Sequence, residues 1–209
     1  MDWTAFYLKT TELNIFILGT GEVATRRANK FLDQGAIVRL AGNSIDDELL
    51  DKGAELHSTD EVDELADWAD LVVIATGDEE LADYVAGISE NKLVNRADFP
   101  EQGDVIIPTS FNIGDIEISI YTNGKSPLMA RKLREKIQSI ITEEDILEIE
   151  LQDYARSLLK QYVPNQKDRK KYLYRIFDDE QCQYLIKTGQ IEKAKTIIYE
   201  LIMRDFNDS

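Results

Sequence analysis

The chain has 209 residues, 43% of them hydrophobic, enough to bury a core of ordinary size in one domain with a helical appendage or in two small domains. Its 40 acidic against 24 basic residues leave a formal charge of -16 and a pI near 4.5. This balance argues against a nucleic-acid partner, because a phosphate backbone would be repelled unless the basic residues were sharply segregated. The lone cysteine, Cys182, offers neither an internal disulfide nor a metal cluster, so no metal site is expected. No run approaches the roughly 20 apolar residues of a membrane span, and the N-terminus, with Asp2, lacks a long apolar leader; the expectation is a soluble, cytoplasmic protein.

Taken in chain order, the apolar stretch from Trp3 to Leu8 is expected to cover one edge of a sheet. Asn14-Ile15-Phe16-Ile17-Leu18 reads as a first strand that empties into Gly19-Thr20-Gly21-Glu22-Val23-Ala24. In this G-x-G-x-x-A loop Gly19 permits a tight turn, Gly21 lets the backbone approach a pyrophosphate, and Ala24 allows close packing of helix on strand. The motif is weak alone, but here it lies between a strand pattern and a helix pattern, the context that dinucleotide binding requires. The helix carries Val23, Ala24, Ala28, Phe31 and Leu32 at helical spacing and stops at Gly35; a second strand, Ile37 to Leu40, completes a right-handed βαβ unit.

After that strand, Ala41-Gly42-Asn43-Ser44 lacks the carboxylate that often holds an adenosine ribose about 20 residues beyond the glycines. Asn43 and Ser44 can hydrogen-bond the ribose, and no basic cluster awaits a 2′-phosphate, which favours NAD over NADP. A weak strand around Glu55 to Ser58 contains the only histidine, His57, read as a strand-end residue rather than a catalytic one. The acidic run from Asp60 to Asp70 lacks EF-hand spacing and reads as a solvated helix face, with a helix from Val62 to Trp68. Leu71-Val72-Val73-Ile74-Ala75-Thr76 has the continuous apolar character of a parallel strand buried on both faces. It delivers Thr76 to the carboxyl edge of the sheet, where ligands sit in open α/β folds, as a cofactor contact. A helix over about 79–89 and a strand Leu93 to Val94 lead to Asn95-Arg96-Ala97-Asp98-Phe99-Pro100. On position alone, a turn role and a catalytic role for Asp98 stand equal.

Beyond Gly103 the pattern changes. Val105 to Pro108 and Ile116 to Tyr121 read as strands around a turn at Asn112-Ile113-Gly114-Asp115. Thr122-Asn123-Gly124-Lys125-Ser126-Pro127 then opens a helix with Leu128, Ala130, Leu133, Ile137 and Ile140, with Ser126 as N-cap and Pro127 at the first helical position. The free amides of that helix end, with Lys125, Arg131 and the hydroxyls of Thr122 and Ser126, suit a carboxylate or phosphate; a merely well-capped helix is the competing reading. Helices over about 143–162, 166–176, 178–187 and 190–205 follow, opened by an N-cap at Thr142. The division expected is a Rossmann-like NAD-binding domain over 1–103, a small α+β dimerisation segment over 104–142 and a C-terminal helical domain over 143–209.

The order of these motifs resembles the precorrin-2 dehydrogenase family, the siroheme synthase N-terminal module, over about residues 5–142. The matching stretches are Gly19 through Ala28, Ala75-Thr76-Gly77-Asp78, Asn95 to Asp98 with Pro100, Ile106-Ile107-Pro108, and above all Asn123-Gly124-Lys125-Ser126-Pro127 with Ala130-Arg131 and Leu133-Arg134. Thr20 stands where the family usually has its middle glycine, Gly77 where it has an aspartate, and Arg96-Ala97 where it has two valines. The glycine loop should tolerate Thr20, whereas Arg96 is placed to alter substrate contacts.

The resemblance implies NAD-dependent oxidation of precorrin-2 to sirohydrochlorin by a homodimer joined through the segment around 104–142. It implies that Glu22, Val23, Asn43 and Ser44 contact NAD, beside Gly19, Thr20 and Gly21 of the loop and Thr76 at the sheet edge, and that Asp98 is the catalytic aspartate. It also implies that Asn95, Thr122, Asn123, Gly124, Lys125, Ser126 and Arg131 contact the tetrapyrrole. A carboxylate suffices as general base where the nicotinamide takes the hydride. The substrate's many carboxylates need local positive potential in so acidic a protein, and the helix end with Lys125 and Arg131 is the best candidate to supply it. Some relatives also insert ferrous iron into sirohydrochlorin, and that second activity is left open here. Two other classes compete: a regulatory module that senses NAD without chemistry, and a tetrapyrrole chelatase without dehydrogenase activity.

Overall fold

The computed structural model describes residues 3–207, which fall into two compact units divided between Ile107 and Pro108. The first unit is a parallel sheet of five strands, β1 (Asn14–Leu18), β2 (Ile37–Ala41), β3 (Glu55–His57), β4 (Leu71–Ile74) and β5 (Leu93–Arg96), in the order β3-β2-β1-β4-β5. The helices between them are α1 (Glu22–Leu32), α2 (Asp47–Asp51), α3 (Val62–Trp68) and α4 (Glu79–Ile88). The strands are apolar throughout because both faces are covered. From β1, Ile15 and Ile17 enter one core with Ala24, Ala28 and Phe31 of α1 and Leu49 of α2. Phe16 and Leu18 enter the other with Val62 and Leu65 of α3 and Ala82 and Val85 of α4.

Two expectations are corrected here. Residues 105–108 form no strand: Val105 and Ile107 pack instead against the first core, under the open flank of β4 and β5. The N-terminal stretch leaves Phe6 and Tyr7 exposed by 72% and 71%, so these rings do not bury apolar surface as a sheet-edge cover would. The short helix α2 was also absent from the sequence pattern, since its five residues, Asp47-Glu48-Leu49-Leu50-Asp51, bury only Leu49.

The second unit begins with an antiparallel ribbon, β6 (Thr109–Ile113) and β7 (Ile116–Ile120), closed at Gly114-Asp115. Five helices follow: α5 (Pro127–Ile140), α6 (Glu143–Tyr162), α7 (Gln166–Phe177), α8 (Glu180–Lys187) and α9 (Ile191–Asn207). Gly114 has φ +54°, and a Cβ there would stand 2.9 Å from the side chain of Ile146, so the ribbon turn lies directly against α6. Phe111 of β6 is buried, with the Arg134 guanidinium of α5 5.2 Å from its ring centre. Leu151, Ala155 and Leu159 of α6, with Ile176, Leu185, Ile186, Ala194, Ile198 and Ile202, make a separate helical core. The single cysteine, Cys182, lies in that core, where burial pushes its thiol up to about 12 and leaves it an inert packing residue. Thr142 and Asp145 form a reciprocal capping box at the start of α6, which gives that helix a defined beginning immediately after α5.

Thr20 is accommodated by a glycine. A Cβ on Gly42, at the end of β2, would stand 2.5 Å from Thr20 Cγ2 and 2.9 Å from its Oγ1. Gly42→Ala should therefore lower stability by about 1–3 kcal/mol, the usual range for overpacking. Adding Thr20→Gly should recover most of that loss in a thermal-unfolding double-mutant cycle. Additive losses in the double variant would show that the two residues do not share this space.

Candidate active site

Three adjacent strands, β1, β4 and β5, deliver their carboxyl ends to one edge of the first unit. With neighbouring strands about 4.8 Å apart, the chain segments leaving β1 and β5 are separated by about 10 Å, a span fit for a small reacting group.

The segment leaving β1 is the glycine loop. Gly19 has φ +110°, and a Cβ there would stand 2.3 Å from the Ala75 carbonyl oxygen, so any other residue would collide with the end of β4. Backbone hydrogen bonds fix the crossing: Gly19 N donates to Ala41 O at 2.9 Å and Ala75 N to Leu18 O at 2.8 Å. Gly21 is the N-cap of α1 and offers no side chain to satisfy the first-turn amides. By contrast, α4, α5, α6, α7 and α8 are each closed by a capping side chain. A Cβ on Gly21 would meet nothing within 4 Å, so the space before those amides is open. Unfilled amides at a helix N-terminus with clear space ahead suit a pyrophosphate, and the residues present thus fit a dinucleotide. Ala24 is fully buried, so the third small position packs helix on strand as the motif predicts. Thr20 is half-buried against Gly42, and Glu22 and Val23 are exposed in the first turn of α1. One turn further, Arg27 keeps Nη1 buried without a partner, and burial, with the charge of Arg26, brings its pKa down to about 10.

The remaining cofactor candidates flank this loop. Thr76 follows β4 beside Gly19, and its Oγ1 accepts a hydrogen bond from Asp78 N at 3.2 Å while Asp78 caps α4 through Leu81 N. Asn43 and Ser44 are exposed just beyond β2, on the other side of Gly19.

The segment leaving β5 holds Asp98. Its side chain is 20% exposed and receives three hydrogen bonds from Arg96: Nε at 3.0 Å to Oδ1 and 3.2 Å to Oδ2, and Nη2 at 2.5 Å to Oδ2. Arg96 Nη1 reaches Asp83 of α4 at 2.9 Å, and the guanidinium lies 5.5 Å from the Phe99 ring centre. Burial alone would raise the pKa of Asp98. Hydrogen bonds from Arg96 and from the backbone of Phe99 and Asp98 itself, with the guanidinium charge, outweigh it and hold the carboxyl below its ordinary value. The same bonds, donated to Asp98, with that to Asp83, hold Arg96 protonated. Asn95 is 1% exposed: its Nδ2 donates to Val105 O at 2.6 Å and ties the 104–107 segment to β5, while Oδ1 is buried without a partner. Its amide nitrogen thus acts as a buried tether.

In the second unit, β7 leads through a tight turn into α5. Asn123 and Gly124 both take positive φ, at 54° and 68°. The hydroxyls expected to face a ligand are engaged within the turn: Thr122 Oγ1 bonds Ser126 O at 3.2 Å, and Ser126 Oγ accepts from Met129 N at 3.1 Å. Lys125 is exposed, and Arg131 is 78% exposed with only a 3.4 Å approach to Glu135. Two exposed cations therefore stand at a capped helix start.

Sequence reasoning missed the role of Arg96 and the Thr20–Gly42 contact. Arg96 and Asp98 are two residues apart around the end of a strand, a spacing that returns side chains to one side, and that signal was available. Asp83 and Gly42 join them only through tertiary structure.

Residues 6–109 match a family model described as "Putative NAD(P)-binding". Among relatives, a Methanocaldococcus jannaschii protein named "Putative precorrin-2 dehydrogenase" is 33% identical over 187 residues, 83% of this chain and 89% of that one. A precorrin-2 dehydrogenase of Methanosarcina barkeri is 32% identical over 178 residues, 79% of each chain. A siroheme synthase of Tolumonas auensis is 25% identical over 98% of this chain but only 45% of its own length. Among solved structures, that of SirC, a precorrin-2 dehydrogenase, superposes with a TM-score of 0.77 over 95% of this chain and all of that one, at 23% identity, which establishes a shared fold. By its similarity to relatives that match it over most of their length, the chain belongs to the precorrin-2 dehydrogenase family.

Proposed function

We propose that the chain catalyses the NAD-dependent dehydrogenation of precorrin-2 to sirohydrochlorin. The observation that carries this reading is its match, over most of their length, to relatives named for that reaction, joined to an open α1 N-terminus beside the Asp98 loop. When bound, the dinucleotide supplies a hydride acceptor. The first-turn amides of α1 would hold its pyrophosphate, with Asn43 and Ser44 on the β2 side for the adenosine ribose and Thr76 on the β4 side for the other half of the dinucleotide.

Dehydrogenation also releases a proton from the macrocycle. Asp98 is ionised at neutral pH, so it can accept that proton at an oxygen where one of the hydrogen bonds from Arg96 gives way. Its lowered basicity suits a relay that passes the proton on to water rather than a group that keeps it. In the second unit, Lys125 and Arg131 supply exposed positive charge to substrate carboxylates. The turn of Thr122, Asn123, Gly124 and Ser126 sets where Lys125 leaves the chain. The proposed division is a nucleotide-binding part over 1–103, a dimerisation segment over 104–142 and a helical part over 143–209.

The proposed partner is a second copy of the chain. Helix α5 buries only Ala130 and leaves Leu128, Met129, Leu133 and Ile140 exposed, an apolar face that such a copy would cover. Insertion of ferrous iron, with iron as substrate, is kept as a second activity. The relatives named siroheme synthase are more than twice the length of the match, so their full activity is not carried over.

Incubating the protein with precorrin-2 and NAD should raise the sirohydrochlorin absorbance well above the uncatalysed rate; no rise would end the enzyme reading, and a further change on adding ferrous iron would report insertion. Asp98→Asn should lower kcat by about 100-fold or more while leaving NAD affinity unchanged. Because the Asp98 pKa is lowered, the charged form persists until the pH falls through that depressed value. The pH profile of kcat/KM should accordingly show no acid limb from this group between about pH 5 and 7; a limb in that window, absent in Asp98→Asn, would contradict the assignment. Lys125→Glu should raise the KM for the tetrapyrrole about tenfold with little change in the KM for NAD, and equal effects on both would leave Lys125 a structural residue. In light scattering, the double variant Leu133→Glu/Ile140→Glu should be monomeric where the unaltered protein is dimeric; a monomeric unaltered protein would overturn the partner assignment.

A further inference from the structure

We propose that Arg96 is a positioning residue for Asp98, a buried guanidinium that holds the carboxylate in one orientation at the carboxyl edge of the sheet and links it to α4. The inference rests on the reading of Asp98 as the group that receives the substrate's proton.

Arg96 is the last residue of β5 and only 2% exposed, with Ile74 of β4 as its register partner. An arginine is almost never buried to this degree unless it is paired, and an aliphatic residue would fill a parallel-strand position without the cost of desolvating a cation. The cation is therefore explained by what it holds. Its Nε and Nη2 both face Asp98, an arrangement that fixes the plane of the carboxylate as well as its distance. Nη1 is directed to Asp83.

The charged groups facing the guanidinium are Asp98 from its own loop and Asp83 from α4, while β4 contributes the apolar Ile74. The two carboxylates are not equivalent. Asp83 is 73% exposed, so water screens its attraction, whereas Asp98 is 20% exposed and holds the stronger contact. Phe99 closes the arrangement with its ring by the same guanidinium. A carboxylate on a loop gains rate from being held in a productive geometry, and here the rigid end of a strand supplies that restraint to a loop two residues away.

A purely structural Arg96 would affect stability alone, so the test reads quantities that stability does not move. Arg96→Val and Arg96→Lys are compared with the unaltered protein and with Asp98→Asn. Carboxyl carbon NMR on the unliganded protein follows the titration of Asp98, and steady-state kinetics give kcat and KM across pH. In the unaltered protein Asp98 should titrate below the usual value of about 3.9. In Arg96→Val it should titrate higher than in the unaltered protein, with kcat reduced about 10- to 100-fold and the KM for NAD unchanged. Arg96→Lys keeps the charge and loses the fork, so it should give an intermediate kcat; it carries the test if Arg96→Val fails to fold. An Asp98 titration and a kcat both unmoved in a folded variant would overturn the proposal. A silent Arg96 variant beside an inactive Asp98→Asn removes Arg96 alone, whereas full activity in Asp98→Asn removes the reading of Asp98 on which the proposal rests.

Discussion

No side chain fits at residue 19. The Ala75 carbonyl occupies the place of a Cβ, and the backbone there takes a positive φ, so β1 can turn against the end of β4 only through a glycine. That close approach brings Gly21 to the head of α1 and leaves the first-turn amides facing open space. It also sets Thr76 beside the loop and, one strand further, the loop that carries Asp98. The dinucleotide-binding geometry and the position of the acid–base candidate thus follow from one contact between two strands.

Charge is the second constraint. A protein of formal charge -16 that handles a polycarboxylate must act through local fields. The described residues show two kinds of local cation. Arg96 is buried and fully engaged by Asp98 and Asp83, so its charge is spent in holding a carboxylate in place. Lys125 and Arg131 are exposed at a helix start, where the backbone amides reinforce a positive potential. The first arrangement fixes a carboxylate in place; the second faces solvent and is open to screening by salt.

The fold of the first unit was legible because its signals are local: an apolar run buried on both faces, a glycine turn and a helical repeat, as in Ile15–Leu18 and Ala24–Phe31. The misread segment, 105–108, shows the limit of such signals. Val105 and Ile107 are apolar because they cover a flank of the core, and a short apolar run alone does not separate that from a strand. The glycine loop could be read from spacing, and the Asp98 loop from its resemblance to a family. Their partners could not: Thr20 meets Gly42 and Arg96 meets Asp83 across 22 and 13 positions of sequence, contacts that exist only once the sheet is assembled. The bond from Asn95 Nδ2 to Val105 O is of the same kind, since no local pattern announces it.

The central claim is that oxidation of the tetrapyrrole and reduction of the dinucleotide are one event on this chain. Its most direct test is a single-turnover reaction with protein in excess over precorrin-2, following NADH and sirohydrochlorin absorbance together. The account predicts that both appear with the same rate constant and in equal amounts, and that neither appears without NAD. Sirohydrochlorin formed without matching NADH, or at the same rate with NAD withheld, would contradict it.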